Sequence, residues 1–299
     1  MKKIIILLTM LSFTINAQES GKLYPNVVPN FKESKNEEHI INSGGIDRVH
    51  NVSIPHYSFY KAKNSTSQAP CIILCPGGGY SILASSHEGT DVAEVLAENG
   101  VNVFLLYYRL PDPQKQKDPS IAPIQDAQMA LRTVRMNADK WGIDKNKVGI
   151  MGFSAGGHLA ASTSNLFKTD FLGLNDGANI RPDFSILIYP VITFRDFGHK
   201  GSKDKLLGEF QSEERIHLFS IEEQISKETP PAFLVHAADD GGVPVKNSLI
   251  YMQKMAELKN SVDGRIYAGG GHGFGMKNKT SSELWMDLLL KWMKDNHLK

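Results

Sequence analysis

From Gln68 onward the chain keeps one rhythm, and that rhythm leaves few folds open. Short apolar runs recur at 71–75, 101–108, 148–153, 184–190, 232–236 and 264–267. Between them lie amphipathic or alanine-rich stretches at 90–99, 123–140, 156–166, 244–259 and 282–295. A short continuous apolar run suits a strand buried on both faces, and strands alternating with helices pair in parallel. The pattern predicts an α/β fold with a mainly parallel central sheet and helices on both faces. In such folds chemistry gathers at the carboxyl ends of strands, so the place to search is where each run stops. Two segments fall outside the rhythm. Residues 18–48 are polar and are expected to form an irregular N-terminal segment over the surface. Residues 192–226 are charged and dotted with aromatics, and are expected to form a cap-like insertion within a single domain spanning 18–299. Val49 to Lys61 alternates apolar and polar residues and reads as one or two edge strands, broken at Pro55.

Charge is informative for what it excludes. Lys+Arg number 33 against Asp+Glu 32, so no long-range field of either sign exists to draw a nucleic acid. A chain of 299 residues buries enough core to need no disulfide or metal staple. Its two cysteines, Cys71 and Cys75, lie four strand steps apart on one apolar run. That spacing is about 13 Å, against a limit of roughly 7 Å for a disulfide, so both read as core residues. Met1-Lys2-Lys3, an apolar stretch from Ile4 to Ile15 and the small residue Ala17 describe a secretory signal peptide over 1–17, cleaved after Ala17. The stretch is shorter than the roughly 20 residues that cross a bilayer. The expected protein is therefore secreted or periplasmic, with no stable membrane association.

The run at 148–153 ends in Gly152-Phe153-Ser154-Ala155-Gly156, a G-x-S-x-G elbow between an apolar strand and a helix-compatible stretch. Such a turn projects the serine hydroxyl into a cleft above a helix N-terminus, which favours developing negative charge. A serine hydroxyl needs a base, and the base needs a third group to orient it. With an elbow of this kind the order is Ser, then an acid, then His. Asp239-Asp240 follows the run at 232–236, and His272 follows the run at 264–267 among flanking glycines. The chemistry of the residues leaves Asp239 and Asp240 as alternatives for the acid. His158, four residues after Ser154, lies along the helix body and reads as a packing and hydrogen-bonding residue. His236 ends a core strand and reads as structural.

A tetrahedral intermediate also needs donors for its oxyanion, and Cys75-Pro76-Gly77-Gly78-Gly79-Tyr80 follows the first interior strand. The N–H groups of Gly78, Gly79 and Ala155 are the candidates. Tyr80 and Glu88 are candidates for touching substrate, with Glu88 equally placed to cap a helix beginning near Thr90. Phe194, Phe197, Phe210 and Phe219 could line a sugar platform or form a satellite core, while Trp141, Trp285 and Trp292 read as packing residues. No zinc spacing or phosphate-loop lysine is present, and neither a metal nor a cofactor is expected.

These residues resemble the α/β-hydrolase superfamily from about Val49 to Lys299. The closer likeness is to the bacterial esterase group that contains acetylxylan esterases and BD-FAE-type esterases. It rests on PGGGY (76–80), HEG (87–89), YRLP (108–111), GFSAGGHLA (152–160), RPDF (181–184), IYPV (188–191), TPPAFLVHAADDGGVP (229–244) and GGHGFG (270–275). The resemblance implies Ser154, an aspartate and His272 as a catalytic triad. It favours Asp240 as the acid, since the acid commonly lies three residues before the valine of a D-x-x-V-P run. Cys75-Pro76 replaces the histidine of the lipase-like HGGG loop, which leaves open which of Gly78, Gly79 and Tyr80 donates. The resemblance implies a secreted serine carboxylesterase removing acetyl groups from a polysaccharide such as xylan. The alternatives are an amide or formamide hydrolase, or an esterase acting on small non-carbohydrate esters. The expected partner is an acylated carbohydrate or small ester; the sequence carries no reading of oligomeric state.

Overall fold

The computed structural model describes residues 19–65 and 68–299. The signal peptide expected over 1–17 lies outside them. Each apolar run becomes a strand because both of its faces find a cover. Along β5 (Ala69–Cys75), Cys71, Ile73 and Cys75 enter one apolar cluster while Ile72 and Leu74 enter the other. This is the period of two expected of a strand buried on both sides. Both cysteines are free, buried and on the same face.

The chain begins with β1 (Glu19–Lys22), a hairpin of β2 (His39–Ser43) and β3 (Ile46–His50), and β4 (His56–Tyr60). After β5 come the short β6 (Leu83–Ala84), a π-helical turn at Ser86–Thr90 and α1 (Asp91–Glu98). Then follow β7 (Asn102–Tyr107), a 3-10 turn at Pro119–Ile121, α2 (Ala122–Met136), α3 (Ala138–Trp141) and β8 (Ile143–Phe153). α4 (Ser154–Asn165) leaves β8 directly, and β9 (Ser185–Ile188) leads into α5 (Lys200–Leu207) and α6 (Glu213–Leu218). β10 (Ala232–Ala237), α7 (Lys246–Glu257), β11 (Val262–Tyr267) and α8 (Trp285–Asp295) complete the fold.

The main sheet has the order β1-β4-β7-β5-β8-β9-β10-β11. The strands from β7 through β11 in that order pair in parallel; β4 is antiparallel to both β7 and β1. Helices α2, α4 and α7 cover one face, and α1 and α8 cover the other. Trp141, Trp285 and Trp292 are all buried among them.

Two expectations about the N-terminal part need correction. Residues 19–48 are irregular only in part: they supply β1, β2 and most of β3, and 23–38 between them carry no regular element. The hairpin turn is Gly44-Gly45, both at positive φ, a pair that matches the twist of a two-residue connection. β4 is not an edge strand, because β1 pairs outside it from Glu19↔Phe59 to Lys22↔His56. β1 reads Glu-Ser-Gly-Lys, so it joins the sheet through its backbone and carries no apolar pattern to betray it.

The wrap is fastened at a buried charge pair. Arg109 Nη2 and Asp126 Oδ1 are 2.7 Å apart, with both side chains fully buried. Arg109 also donates to the Pro29 carbonyl at 2.6 Å, and the Tyr24 hydroxyl donates to Asp126 Oδ1 at 3.0 Å. The pair therefore joins the N-terminal segment to the strand end after β7 and to α2. Removing one member strands the other charge in the core, at about 3–5 kcal/mol. Asp126→Ala should lose about that much in a urea unfolding titration; a loss below 1 kcal/mol would show that water or another side chain satisfies Arg109.

Candidate active site

The elbow exists because two glycines allow an approach that any side chain would block. A Cβ on Gly152 would lie 2.0 Å from the Gly156 carbonyl oxygen, and one on Gly156 would lie 2.2 Å from the Cys75 oxygen. With these atoms absent, β8 turns into α4 within one residue. Ser154 takes a φ of 51°, a strained value for a residue with a side chain.

Three strand ends bring three side chains into a line. Ser154 Oγ lies 2.8 Å from His272 Nε2, and His272 Nδ1 lies 2.7 Å from Asp240 Oδ2. Asp240 Oδ1 accepts the Gly242 and Val243 N–H groups at 2.9 and 2.8 Å. Burial would raise the pKa of Asp240, but hydrogen bonds from His236, His272 and Val243 outweigh it and hold the carboxyl well below its ordinary range. An ionised Asp240 fixes the proton of His272 on Nδ1 and leaves Nε2 to accept from the Ser154 hydroxyl. Such an arrangement can generate a serine alkoxide equivalent and later return the proton.

Of the two aspartates left as alternatives, Asp240 meets the imidazole. Asp239 instead accepts the N–H groups of Gly270 and Gly271 at 3.2 and 2.8 Å and so shapes the loop that carries His272. One aspartate aims the ring and its neighbour aims the backbone below it.

The glycine loop after β5 sits against the elbow. Its Gly77 N–H is taken by Glu88 Oε2 at 2.9 Å. Among the described residues, neither the Gly78 nor the Gly79 N–H donates to a protein acceptor. Ala155, the second residue of α4, adds an N–H from a first helical turn, where backbone donors have no intrahelical partner. These are the donors available to an oxyanion.

The two side chains proposed to touch substrate are both withdrawn from the cleft, which corrects that expectation. Glu88 is 3% exposed; besides Gly77 it accepts the Tyr189 hydroxyl at 2.7 Å. The hydroxyl of Tyr189 in turn accepts the Gly275 N–H at 3.0 Å. Glu88 thus ties the glycine loop to the end of β9 and to the histidine loop. It does not cap α1 through its side chain. Tyr80 is 1% exposed and directs its hydroxyl to His158 Nδ1 at 2.8 Å. His158 Nε2 donates to the Phe219 carbonyl at 2.8 Å, and burial pushes the ring's pKa down to about 4, keeping it neutral. His158 therefore links the glycine loop to the segment 192–226.

That segment carries α5, α6 and two 3-10 turns, and Arg215 fastens it to Asp118 at 2.7 Å. Phe194 and Phe219 belong to the core, with Phe194 stacked on His158 at 4.4 Å between ring centroids. Phe219 is thereby withdrawn from any sugar platform, while Phe194, only 2% exposed, reaches the wall of one cleft. Phe197 lies under Lys246 Nζ at 4.3 Å. A cleft of about 390 Å³ runs between Arg195, His199, Lys200, Lys203 and Ile216. Ser154 is not in its wall; His199 is, and burial, then the nearby His272, lowers its pKa. A second cleft of about 240 Å³ borders the glycine loop at Tyr80 and Ser81.

Tyr189 was not legible in the sequence. Its ring meets that of His272 edge-on at 5.0 Å, yet it looks like the last residue of an ordinary apolar strand. Its φ of 35° is a backbone property that no residue type announces. Among the described residues no group of three or more His, Cys, Asp or Glu could hold a metal ion, and no helix is long and apolar enough to cross a membrane.

Comparison with known proteins shows the family and the fold. The BD-FAE family model matches residues 58–255. An acetylxylan esterase of Xylanibacter ruminicola is 36% identical over 238 residues, covering 75% of this chain and 45% of that protein. Endo-1,4-beta-xylanase B of Butyrivibrio fibrisolvens is 35% identical over 74% of this chain and 35% of its own. The chain therefore spans less than half the length of these two relatives. The crystal structure of an acetyl ester-xyloside bifunctional hydrolase from Caldicellulosiruptor lactoaceticus aligns with a TM-score of 0.78 and 34% identity. That alignment covers 94% of this chain and 97% of the other. The fold is the α/β-hydrolase fold.

The burial of Glu88 and Tyr80 makes a contrast that can be measured. Glu88→Ala leaves two buried donors without an acceptor and should lower stability by about 2–4 kcal/mol, whereas Tyr80→Phe should lose about 1 kcal/mol. Both should lower kcat of any serine-dependent turnover through the loop, with little change in KM. A rise in KM alone for Glu88→Ala would mean that the carboxylate meets substrate.

Proposed function

The chain belongs to the BD-FAE family, and on that premise we propose that it is a serine carboxylesterase removing acetyl and other small acyl groups from a polysaccharide such as xylan. The observation that carries the reading is the hydrogen-bonded line from Ser154 through His272 to Asp240, beside unclaimed N–H groups of the glycine loop. The relatives named for acetylxylan and for an acetyl ester-xyloside support the substrate class.

In the proposed cycle Ser154 Oγ attacks the acetyl carbonyl carbon as His272 Nε2 takes the hydroxyl proton. The carbonyl oxygen gains the negative charge and lies against the N–H groups of Gly78, Gly79 and Ala155, each worth about 3 kcal/mol in the transition state. Collapse breaks the bond to the sugar oxygen, which leaves with the proton from His272. Water then attacks the acetyl-serine, again through His272, to release acetate and restore the hydroxyl. Asp240 remains ionised throughout and stabilises the imidazolium at each step.

Acetate release from acetylated xylan oligosaccharides, with Ser154→Ala as the blank, tests the reading. The serine variant should lose at least about 10⁴-fold in kcat. No release alongside normal hydrolysis of an activated acetate ester would overturn the polysaccharide substrate. A faster rate on a matched anilide than on the ester would favour the amide or formamide reading.

We also propose export. Met1 to Ala17 has the basic start, apolar middle and small terminal residue of a signal peptide, and a polymeric substrate lies outside the cell. Protein recovered from the periplasm or medium should begin at Gln18 by N-terminal mass analysis; intact Met1 on the exported form would contradict cleavage there.

A further inference from the structure

The carboxylate that orients His272 is held by a second imidazole. His236, on β10, lies with Nε2 3.1 Å from Asp240 Oδ2, the same oxygen that accepts His272 Nδ1 at 2.7 Å. Its Nε2 also faces the Val243 carbonyl at 2.9 Å. Both neighbours of Nε2 are acceptors, so the proton of a neutral His236 must sit on Nε2. Its Nδ1 is then an acceptor, and the Ser248 hydroxyl on α7 supplies the donor at 2.7 Å. The ring is fully buried, and all of its polar capacity is used. Asp240 therefore receives four N–H bonds: two on Oδ1 from Gly242 and Val243, and two on Oδ2 from the imidazoles. Four is the full lone-pair capacity of a carboxylate.

We propose that His236 is a positioning residue of the active site, which fixes the Asp240 carboxylate and shares its Oδ2 with His272 so that the His272 ring is oriented toward Ser154. The inference rests on the Ser154–His272–Asp240 reading above. The physical argument is one of competition for one oxygen. A hydrogen bond donated to Oδ2 by His236 withdraws charge that would otherwise face His272. Without it, Oδ2 attracts the imidazolium form of His272 more strongly, and a base that holds its proton at working pH cannot accept one from Ser154. The bond also selects the carboxylate rotamer, since Oδ1 is already held by the loop. Ser248 extends the restraint into α7 by keeping the His236 ring and tautomer fixed.

The other groups around this cluster do not duplicate the role. Across the sheet, β11 sets Ile266 beside His236, and β9 sets Ile188 beside Val235, so neither strand offers a charge there. Tyr189 meets the His272 ring by its edge and gives its hydroxyl to Glu88. His199 lies on the cleft side, influenced by both His272 and Asp240. Asp239 is occupied with the backbone of Gly270 and Gly271.

Two substitutions of similar polarity separate position from packing. In His236→Gln the side-chain amide nitrogen reaches the place of Nε2 and can donate to Asp240. In His236→Asn it reaches only the place of Nδ1, near Ser248. Three quantities are read for each: the thermal midpoint, the kcat/KM–pH profile on an activated acetate ester, and the His272 titration followed by ring NMR signals. The Asn variant should lose about tenfold in kcat/KM at neutral pH. Its acid limb and its His272 titration should both move up by roughly half a pH unit. The Gln variant should restore most of both at a similar thermal midpoint. Identical pH profiles and His272 titrations for Asn, Gln and the unmodified protein would overturn the proposal and leave His236 a packing residue. Should the Asn variant fail to fold, Ser248→Ala decides in its place. A smaller upward shift of the His272 titration supports the proposal, and an unmoved titration overturns it. Loss of all Ser154-dependent turnover in the unmodified protein would instead refute the esterase reading, and the NMR arm would still decide the role of His236.

Discussion

Everything at this site depends on one close approach of backbone to backbone. The Gly156 carbonyl occupies the space where a Cβ of Gly152 would be, and the oxygen of Cys75 occupies that of Gly156. This contact lets β8 end and α4 begin with no connecting residue. It also sets the glycine loop after β5 against the elbow, so that a strained Ser154 and the donors of Gly78 and Gly79 share one cleft. Both halves of the site hang from adjacent strands of one sheet, and their separation follows from the strand spacing rather than from loop flexibility.

Two buried carboxylates then hold the loops that the sheet cannot. Glu88 gathers the Gly77 N–H and the Tyr189 hydroxyl, and through that hydroxyl the Gly275 N–H. Asp240 gathers two imidazoles and two backbone donors. Each has its desolvation offset by several directed donors, the condition under which a buried polar group stabilises one arrangement over others. The two clusters meet at Tyr189 and His272, whose rings touch edge to face. Displacement of either carboxylate would therefore be felt at the imidazole that the proposed mechanism uses as its base.

The parts outside the α/β rhythm are fastened by the same means. The N-terminal wrap is held by the fully buried Arg109–Asp126 pair, and the segment 192–226 by Arg215 and by His158 behind the elbow. His158 is kept neutral by burial, so it can accept from Tyr80 while donating to Phe219. A charged ring could not accept, and the link between the glycine loop and the covering segment would open. The aromatics of that segment serve this junction, which explains why Phe194 and Phe219 lie in the core.

The sequence by itself determined the strand rhythm, the elbow, and the order of Ser154, the aspartate pair and His272. These are local properties: buried strands need continuous apolar runs, and a turn without room for Cβ atoms needs glycine. β1 escaped because four residues without an apolar side chain can join a sheet through backbone alone, and the Gly44-Gly45 hairpin escaped because its strands are short and β2 is exposed throughout. The residue chemistry left Asp239 and Asp240 open and the family resemblance favoured Asp240; the tertiary structure shows which way the chain points each, Asp240 to His272 and Asp239 to the Gly270 and Gly271 N–H groups. It also withdrew Tyr80 and Glu88 from the cleft, and revealed Tyr189 and His236 beside the relay. Those four roles depend on partners 78, 101, 83 and 4 residues away. Even the shortest of these separations becomes a contact only because the loop after β10 folds back on its own strand.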